Sequence, residues 1–308
     1  MSDFLTKPEP AREPLQASFS DAANPVGLDG LEFIEYATSK PQALGQVLEM
    51  MGFRPIARHR AREVLLYRQG GLNIIVNAHP MDAQAASHGS DVPVISAIAL
   101  RVRDARAAFE YVLERGAWDV PSHAGVMELH IPAIHGAGGS RIYFVDRYKH
   151  FSIYDVDFAP IPTVDQHPPA TAGIHFFGIV QYIGPQRSYD WIEFYTELFG
   201  TTLIPDEERF GIMPKGKLLR TPALSASQRF MLQLVEPDPN VYDAQERLQR
   251  IGLGVPDVAA AVAALRALGV EFVETEAAHT DRRGAISKTY LGSVVFELVH
   301  SEPSAQEA

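Results

Sequence analysis

The sequence contains no cysteine among its 308 residues. This absence excludes disulfide bonds, cysteine nucleophiles and thiolate metal sites, so any metal would have histidine, carboxylate or carbonyl ligands. The chain also has a deficit of positive charge, with 27 lysines and arginines against 38 aspartates and glutamates and a net charge of −11. This balance argues against binding to nucleic acid and to an anionic membrane surface.

Long apolar runs are absent as well. No segment approaches the roughly 18 consecutive apolar residues that a membrane-spanning helix needs, and the N-terminus lacks the apolar core of a signal peptide. Residues 1–26 instead contain several prolines, which favours a flexible tail outside the fold. We therefore expect a cytoplasmic protein.

The composition is that of a soluble globular protein, with 46% hydrophobic and 21% charged residues, and the length suits about two domains. Residues 159–172 contain four prolines and form the best candidate for a linker. The boundaries predicted from this linker are an N-terminal domain at 27–158 and a C-terminal domain at 173–301.

Each half shows the same order of predicted elements, a strand, a helix and then short strands. Helices are predicted at 40–51 and 188–199, and Asp104 and Asp257 are expected to cap two more. The segment 151–157 is predicted as a strand, and the glycine-rich segment 136–139 is predicted as a turn. Four residues that begin or end elements recur after 153 positions: Asp104 and Asp257, Gly116 and Gly269, Gly139 and Gly292, Ser140 and Ser293. This repeat predicts an α+β fold built from βαβββ units.

The most informative stretch is 292–300, a short apolar run with one carboxylate, Glu297, near its middle. Runs of this length that are rich in valine and phenylalanine are typical of a buried strand. A buried glutamate needs a metal, a cation or a proton to offset the loss of hydration. The identity of that partner is the central question about the site.

The motifs resemble those of the 4-hydroxyphenylpyruvate dioxygenases in the vicinal-oxygen-chelate superfamily. The resemblance extends over about residues 27–301 and implies two tandem vicinal-oxygen-chelate domains. Its most specific part lies in the N-terminal half: GLEFIEY at 30–36, MGF at 51–53, LYRQG at 66–70, NIIVN at 73–77, ALRVRD at 99–104 and IYDVDF at 153–158.

The resemblance also implies a site for Fe(II) in the C-terminal domain, with two histidines and one glutamate. His175 on the opening strand and Glu297 on the last strand match two of these ligands. The position of the second histidine, seven residues before Asp257, is occupied by Arg250. Arginine keeps its charge and does not ligate iron. The chain is also shorter after Glu297 than the resemblance implies.

Two hypotheses follow. In the first, the protein is a non-haem Fe(II) dioxygenase that acts on an aromatic 2-oxo acid and dioxygen, with substrate contacts from Arg250 and Gln233. In the second, Arg250 replaces the metal and pairs with Glu297 through a bidentate contact, and the protein binds a small acid without iron. The N-terminal domain is expected to lack the triad, because Arg250 maps to Ala97 and Glu297 to Phe144. Glu32 and Glu35 are expected to have surface or interface roles, and a homo-oligomer is left open.

Overall fold

The computed structural model describes residues 22–79, 91–121, 129–149, 151–208, 211, 215–240, 245–276 and 278–302. Most of the predicted N-terminal tail and the last six residues lie outside the described residues. Within the described part of the chain, no helix is long and apolar enough to cross a membrane.

The N-terminal module comprises eight strands and three helices in the described residues. The helices are α1 (Pro41–Met50), α2 (Ala105–Leu113) and α3 (Ile153–Asp157). The strands are β1 (Leu28–Ala37), β2 (Arg54–His59), β3 (Val64–Gln69), β4 (Leu72–Asn77), β5 (Val94–Val102), β6 (Ala133–His135), β7 (Arg141–Val145) and β8 (Phe158–Pro160).

The C-terminal module repeats this order with seven strands and two helices in the described residues. The helices are α4 (Ser188–Phe199) and α5 (Val258–Ala267). The strands are β9 (His175–Tyr182), β10 (Thr202–Ile204), β11 (Lys217–Arg220), β12 (Met231–Val235), β13 (Arg247–Val255), β14 (Gly284–Ile286) and β15 (Phe296–His300).

The strands join into one mixed sheet that runs through both modules. Its main path is β10-β11-β12-β9-β13-β5-β1-β4-β3-β2-β8, and the modules meet where Leu248 of β13 pairs with Ile95 of β5. Each module contains a pair of parallel neighbours in its second half. These pairs are β5 with β7 in the N-terminal module and β13 with β15 in the C-terminal module. Because parallel strands need a crossover between them, helices α2 and α5 lie in these connections.

Local sequence explains how the helices begin and end. Asp104 accepts a hydrogen bond from Ala107 N at 2.8 Å, and Asp257 accepts one from Ala260 N at 3.0 Å, so both predicted caps are confirmed. Helix α4 ends at Gly200 with φ 69°, a left-handed conformation that costs glycine little. These caps fix the helices on the outer face of the sheet.

The largest core lies between the helices and the sheet and joins both modules. Leu44 and Val47 of α1 and Leu265 of α5 are buried in the same cluster as the strand residues Ile34 and Ile251. The other face of the N-terminal sheet has a smaller core that includes Phe33, Leu66 and Phe158. The sheet therefore has one face covered by helices and an inner face in each module that is available for a site.

The mixed sheet with helices confirms the predicted α+β class, but some elements differ from prediction. Residues 153–157 form a helix instead of a strand, because Ser152 and Asp155 make a reciprocal capping box. The last strand begins at Phe296, later than the apolar run 292–300 predicts. The predicted domain boundaries stay predictions.

The glycine-rich turn at 137–139 is a contact between the modules. Gly138 has φ 60°, and a Cβ atom placed on it would lie 1.9 Å from the carbonyl oxygen of Glu246, just before β13. Gly139 also has positive φ, 78°, but a Cβ atom there would have no neighbour within 4 Å.

We therefore expect Gly138→Ala to lower the free energy of unfolding by about 2–3 kcal/mol, because it adds a clash with β13 to the backbone strain. Gly139→Ala is the matched control, with positive φ and no clash, and should cost only about 1 kcal/mol. Urea unfolding of both variants measures the difference. Equal losses of unfolding free energy in the two variants would show that Gly138 makes no tight contact with the C-terminal module.

Candidate functional site

The inner face of the C-terminal sheet presents its side chains in rows that cross several strands. Glu297 of β15 pairs with Gly252 of β13, which pairs with Gly178 of β9, which pairs with Met231 of β12. Directly paired residues point to the same face of a sheet. Neither glycine adds a side chain to this row, and a Cβ atom on Gly178 would lie 2.4 Å from the carbonyl oxygen of Met231.

Arg250 lies in the adjacent row, two residues before Gly252 on the same strand. Its partners across the sheet are Val180 of β9 and then Gln233 of β12. Residues two apart on a strand share a face. Arg250, Glu297 and Gln233 therefore share one surface although they lie far apart in the sequence.

Arg250 and Glu297 form a buried ion pair. The guanidinium Nε donates a hydrogen bond to Oε2 of Glu297 at 2.8 Å, and the side chains are only 4% and 7% exposed. The contact is one hydrogen bond from Nε, and not the two-pronged contact that the second hypothesis expected. The pair answers the question raised by the sequence, because a buried carboxylate is compensated here by a buried cation.

Gly211 lies close to Glu297. A Cβ atom on Gly211 would lie 3.2 Å from Oε1 of Glu297, so the backbone of this residue is near the carboxylate. The cavity beside Glu297 measures only about 30 Å³. This is the space of about one water molecule, which leaves no room for a substrate at the carboxylate itself.

A larger cleft lies on the Arg250 side of the ion pair. It measures about 230 Å³ and is lined by Tyr182, Lys215, Gln233, Glu236 and Arg250 among others. The Gln233 amide donates to the carbonyl of Lys215 at 2.6 Å. Arg250 and Gln233 both line this cleft, and their role as substrate contacts stays a prediction. Lys215 was not predicted, since a lysine in a loop carries no signal in the sequence.

His175 lies in the next row of the same face, where other groups engage its ring. It pairs with Gly254, one row beyond Gly252, and its Nε2 would lie 2.2 Å from a Cβ atom on Gly254. Nδ1 donates to the carbonyl of Gly173 at 3.1 Å, so Nε2 accepts from the Ser301 hydroxyl at 3.2 Å. His175 lines a separate cleft of about 320 Å³ together with Ser301.

The described residues do not fit the three-ligand Fe(II) site that the resemblance implies. In the ranges that the structure covers, no three histidine, aspartate or glutamate side chains come together to hold a metal. Glu297 is engaged by Arg250, and both ring nitrogens of His175 have other partners. A facial triad needs all three ligands around one ion. The assignment of His175 and Glu297 as iron ligands stays a prediction.

The inner face of the N-terminal module differs from the prediction in two ways. Tyr143, and not Phe144, occupies the position of Glu297, because it pairs with Ala99 as Glu297 pairs with Gly252. The side chains of Glu32 and Glu35 are buried, and each binds an arginine. Arg101 Nε lies 2.6 Å from Glu32, and Arg141 Nη2 lies 2.8 Å from Glu35.

Replacement of Arg250 by methionine should lower the free energy of unfolding by about 3–5 kcal/mol, because it leaves a buried carboxylate without a partner. The double variant Arg250→Met/Glu297→Leu should recover most of this loss, since two apolar side chains can fill the space of a buried ion pair. Urea unfolding of both variants measures the coupling. Equal stability of the single and double variants would contradict the ion pair.

Comparisons with known proteins agree with this architecture. Residues 22–159 match the family described as "Hydroxyphenylpyruvate dioxygenase, HPPD, N-terminal". Residues 187–289 match the "Glyoxalase/Bleomycin resistance protein/Dioxygenase superfamily". The second match contains Arg250 but stops before Glu297 and starts after His175, so it does not test the ligand assignment.

Among individual proteins, a 4-hydroxyphenylpyruvate dioxygenase from Pseudomonas sp. (strain P.J. 874) is 41% identical over 181 residues, 57% of this chain and 50% of that protein. A 4-hydroxyphenylpyruvate dioxygenase from Pseudomonas aeruginosa is 33% identical over 269 residues, 82% of this chain and 73% of that protein. The match thus spans half the length of the first relative and about three quarters of the second.

A solved xylose isomerase-like TIM barrel/4-hydroxyphenylpyruvate dioxygenase fusion protein superposes with a TM-score of 0.69 at 22% identity. The match covers 89% of this chain and 49% of that one. At this identity the superposition establishes the fold alone. The long match to the Pseudomonas aeruginosa protein and the shared fold show that the chain belongs to the 4-hydroxyphenylpyruvate dioxygenase family.

Proposed function

We propose that the chain is a 4-hydroxyphenylpyruvate dioxygenase-like oxidoreductase that acts on a small aromatic 2-oxo acid with dioxygen. Family membership supports this reading over a metal-free binding protein, because the relatives are named as dioxygenases. The structural observation that supports a binding site for an acid is the C-terminal cleft, in which Arg250, Lys215 and Gln233 converge.

In this proposal the cleft binds the carboxylate end of the 2-oxo acid. Arg250 uses its Nε for Glu297, so its terminal nitrogens are left to bind a ligand carboxylate by charge-assisted hydrogen bonds. Lys215 shares its charge with Asp238 at 2.8 Å. A volume of about 230 Å³ lies just below the usual range for drug-sized ligands, which suits a small acid.

Fe(II) would supply the oxygen chemistry of such an activity. Glu297 would be a ligand only after release from Arg250, and His175 faces another cleft. The proposal also includes a role in aromatic amino acid catabolism in the cytoplasm, and a C-terminal domain at 173–301 that carries the site.

One observation favours a second candidate function. The buried Arg250–Glu297 pair places a permanent cation against the carboxylate that a metal would need. A protein with this arrangement can bind the 2-oxo acid through Arg250 without catalysing its oxidation. The second candidate is therefore a metal-free, dioxygenase-like binding protein for the same ligand class.

We expect 4-hydroxyphenylpyruvate to bind to the purified protein in anaerobic calorimetry, and Arg250→Gln to weaken this binding about tenfold or more, because a charged hydrogen bond is lost. Gln233→Leu should also weaken it. Arg247→Gln, on the same strand but outside the cleft, is the matched control and should bind like the wild type.

Oxygen consumption with the same ligand and added Fe(II) separates the two functions. Turnover that depends on both Fe(II) and 4-hydroxyphenylpyruvate supports the dioxygenase. Binding without oxygen consumption, with iron well below one per chain, supports the metal-free binding protein. Failure to bind the 2-oxo acid would contradict both.

A further inference from the structure

A cleft in the N-terminal module is larger than the clefts beside His175 and Arg250. It measures about 720 Å³, within the range typical of small-molecule sites. It lies on the inner face of β2, β3 and β4 and is closed at one side by α3 and β8. We refer to it as the N-terminal cleft, and its lining includes Ile56, Leu66, Arg68, Lys149, Tyr154 and Phe158.

Cations dominate the polar part of this lining. Arg60, Arg68 and Lys149 all line the cleft, and none of them has a carboxylate partner among the described residues. Arg68 donates to Asn73 Oδ1 at 2.7 Å and to the carbonyl of Gln166 at 3.0 Å, both of which are neutral acceptors. Arg60 donates to the carbonyl of Val156 at 2.9 Å. These bonds orient the two guanidinium groups without cancelling their charges.

The carboxylates in the lining are already engaged. Glu32 accepts a hydrogen bond from Arg101 at 2.6 Å. Arg101 is the fourth cation in the lining of the cleft, and Glu32 compensates its charge. Asp155 accepts from both the backbone N and the hydroxyl of Ser152 at the start of α3. The four cations of the lining thus exceed its two carboxylates by two positive charges, in a chain whose net charge is −11.

The tyrosines of the cleft do not offset this charge, since they stay neutral. Burial, followed by the nearby Glu32, raises the pKa of Tyr154 well above its ordinary value. Burial and the neighbouring Asp29 raise the pKa of Tyr148 to about 12. The Arg68 guanidinium lies 5.4 Å from the centre of the Tyr154 ring, which helps to hold it in the cleft.

The remaining wall is apolar and partly aromatic. Ile56, Leu66 and Phe158 belong to the small core on this face of the sheet. The rings of Tyr154 and Phe158 meet edge to face, with centroids 5.7 Å apart. An inorganic anion would pair with the cations but would make no apolar contact with this wall. A ligand with a planar apolar body and an acidic end satisfies both parts of the lining.

We propose that the N-terminal cleft is a second binding site, separate from the C-terminal cleft, for a small aromatic carboxylate held by Arg68, Arg60 and Lys149. The carboxylate lies against the guanidinium of Arg68, which is the least exposed of the three cations. The aromatic body lies along Leu66 and Phe158. This site does not depend on iron or on the function of the C-terminal cleft.

Calorimetry of the full chain with 4-hydroxybenzoate tests the site, with neutral 4-hydroxybenzamide and inorganic phosphate as comparison ligands. We expect 4-hydroxybenzoate to bind at least about tenfold more tightly than the amide, because a charged hydrogen bond is lost in the amide. Arg68→Gln should weaken the binding of 4-hydroxybenzoate by about tenfold or more on the same grounds. Lys149→Gln, at an exposed position with only a ring contact, should weaken it without affecting the fold.

The control is Arg58→Gln, which removes an exposed arginine of β2 that does not line the cleft and should leave binding unchanged. The proposal is overturned if 4-hydroxybenzoate does not bind, if the amide binds equally well, or if Arg58→Gln and Lys149→Gln have equal effects. Binding that is lost in Gln233→Leu but kept in Arg68→Gln would place the ligand in the C-terminal cleft and also overturn it. Binding of phosphate alone would identify an oxyanion site and exclude the aromatic ligand.

Discussion

The pair of Arg250 and Glu297 is the constraint around which the C-terminal site is arranged. Two charged side chains that are almost fully buried are tolerated only when each compensates the other. Their meeting requires β13 and β15 to be parallel neighbours with Glu297 opposite Gly252. The crossover through α5 produces that arrangement. The pair therefore depends on the register of the whole sheet.

The same pair sets the chemical alternatives for this protein. A carboxylate that accepts a hydrogen bond from arginine is less available to a metal, and arginine cannot replace histidine as a ligand. Family membership supports the proposed dioxygenase, whereas the contact between Arg250 and Glu297 supports the proposed metal-free binding protein. Both proposals place the ligand in the C-terminal cleft. Arg250 lines this cleft and also donates a hydrogen bond to Glu297.

The two modules handle buried charge in related ways. The N-terminal module also places carboxylates on its inner face, and both Glu32 and Glu35 are matched by arginines. It differs in its surplus of cations, since Arg60, Arg68 and Lys149 line the N-terminal cleft and have no carboxylate partner among the described residues. The two modules of this duplicated architecture thus carry clefts with different charge. In the C-terminal cleft the cation Arg250 is paired with Glu297, whereas the lining of the N-terminal cleft has more cations than carboxylates.

Much of the fold followed from sequence patterns that act over short distances. Asp104 and Asp257 identified helix starts, because a capping carboxylate acts within three residues of itself. The recurrence after 153 positions identified the duplication. The segment 151–157 was assigned wrongly, because its apolar residues suit a strand and the capping box of Ser152 and Asp155 determined the helix.

The sequence alone determined that Glu297 would be buried and would need a partner, and that Arg250 stands where the family pattern has a histidine. Only the tertiary structure decided that the two side chains meet and that His175 is directed toward Ser301. It also decided that Arg60, Arg68 and Lys149 of the N-terminal half share one cleft. The physical reason is that charge compensation depends on strand register and on the irregular pairing between β9 and β13, which bring together residues far apart in the chain.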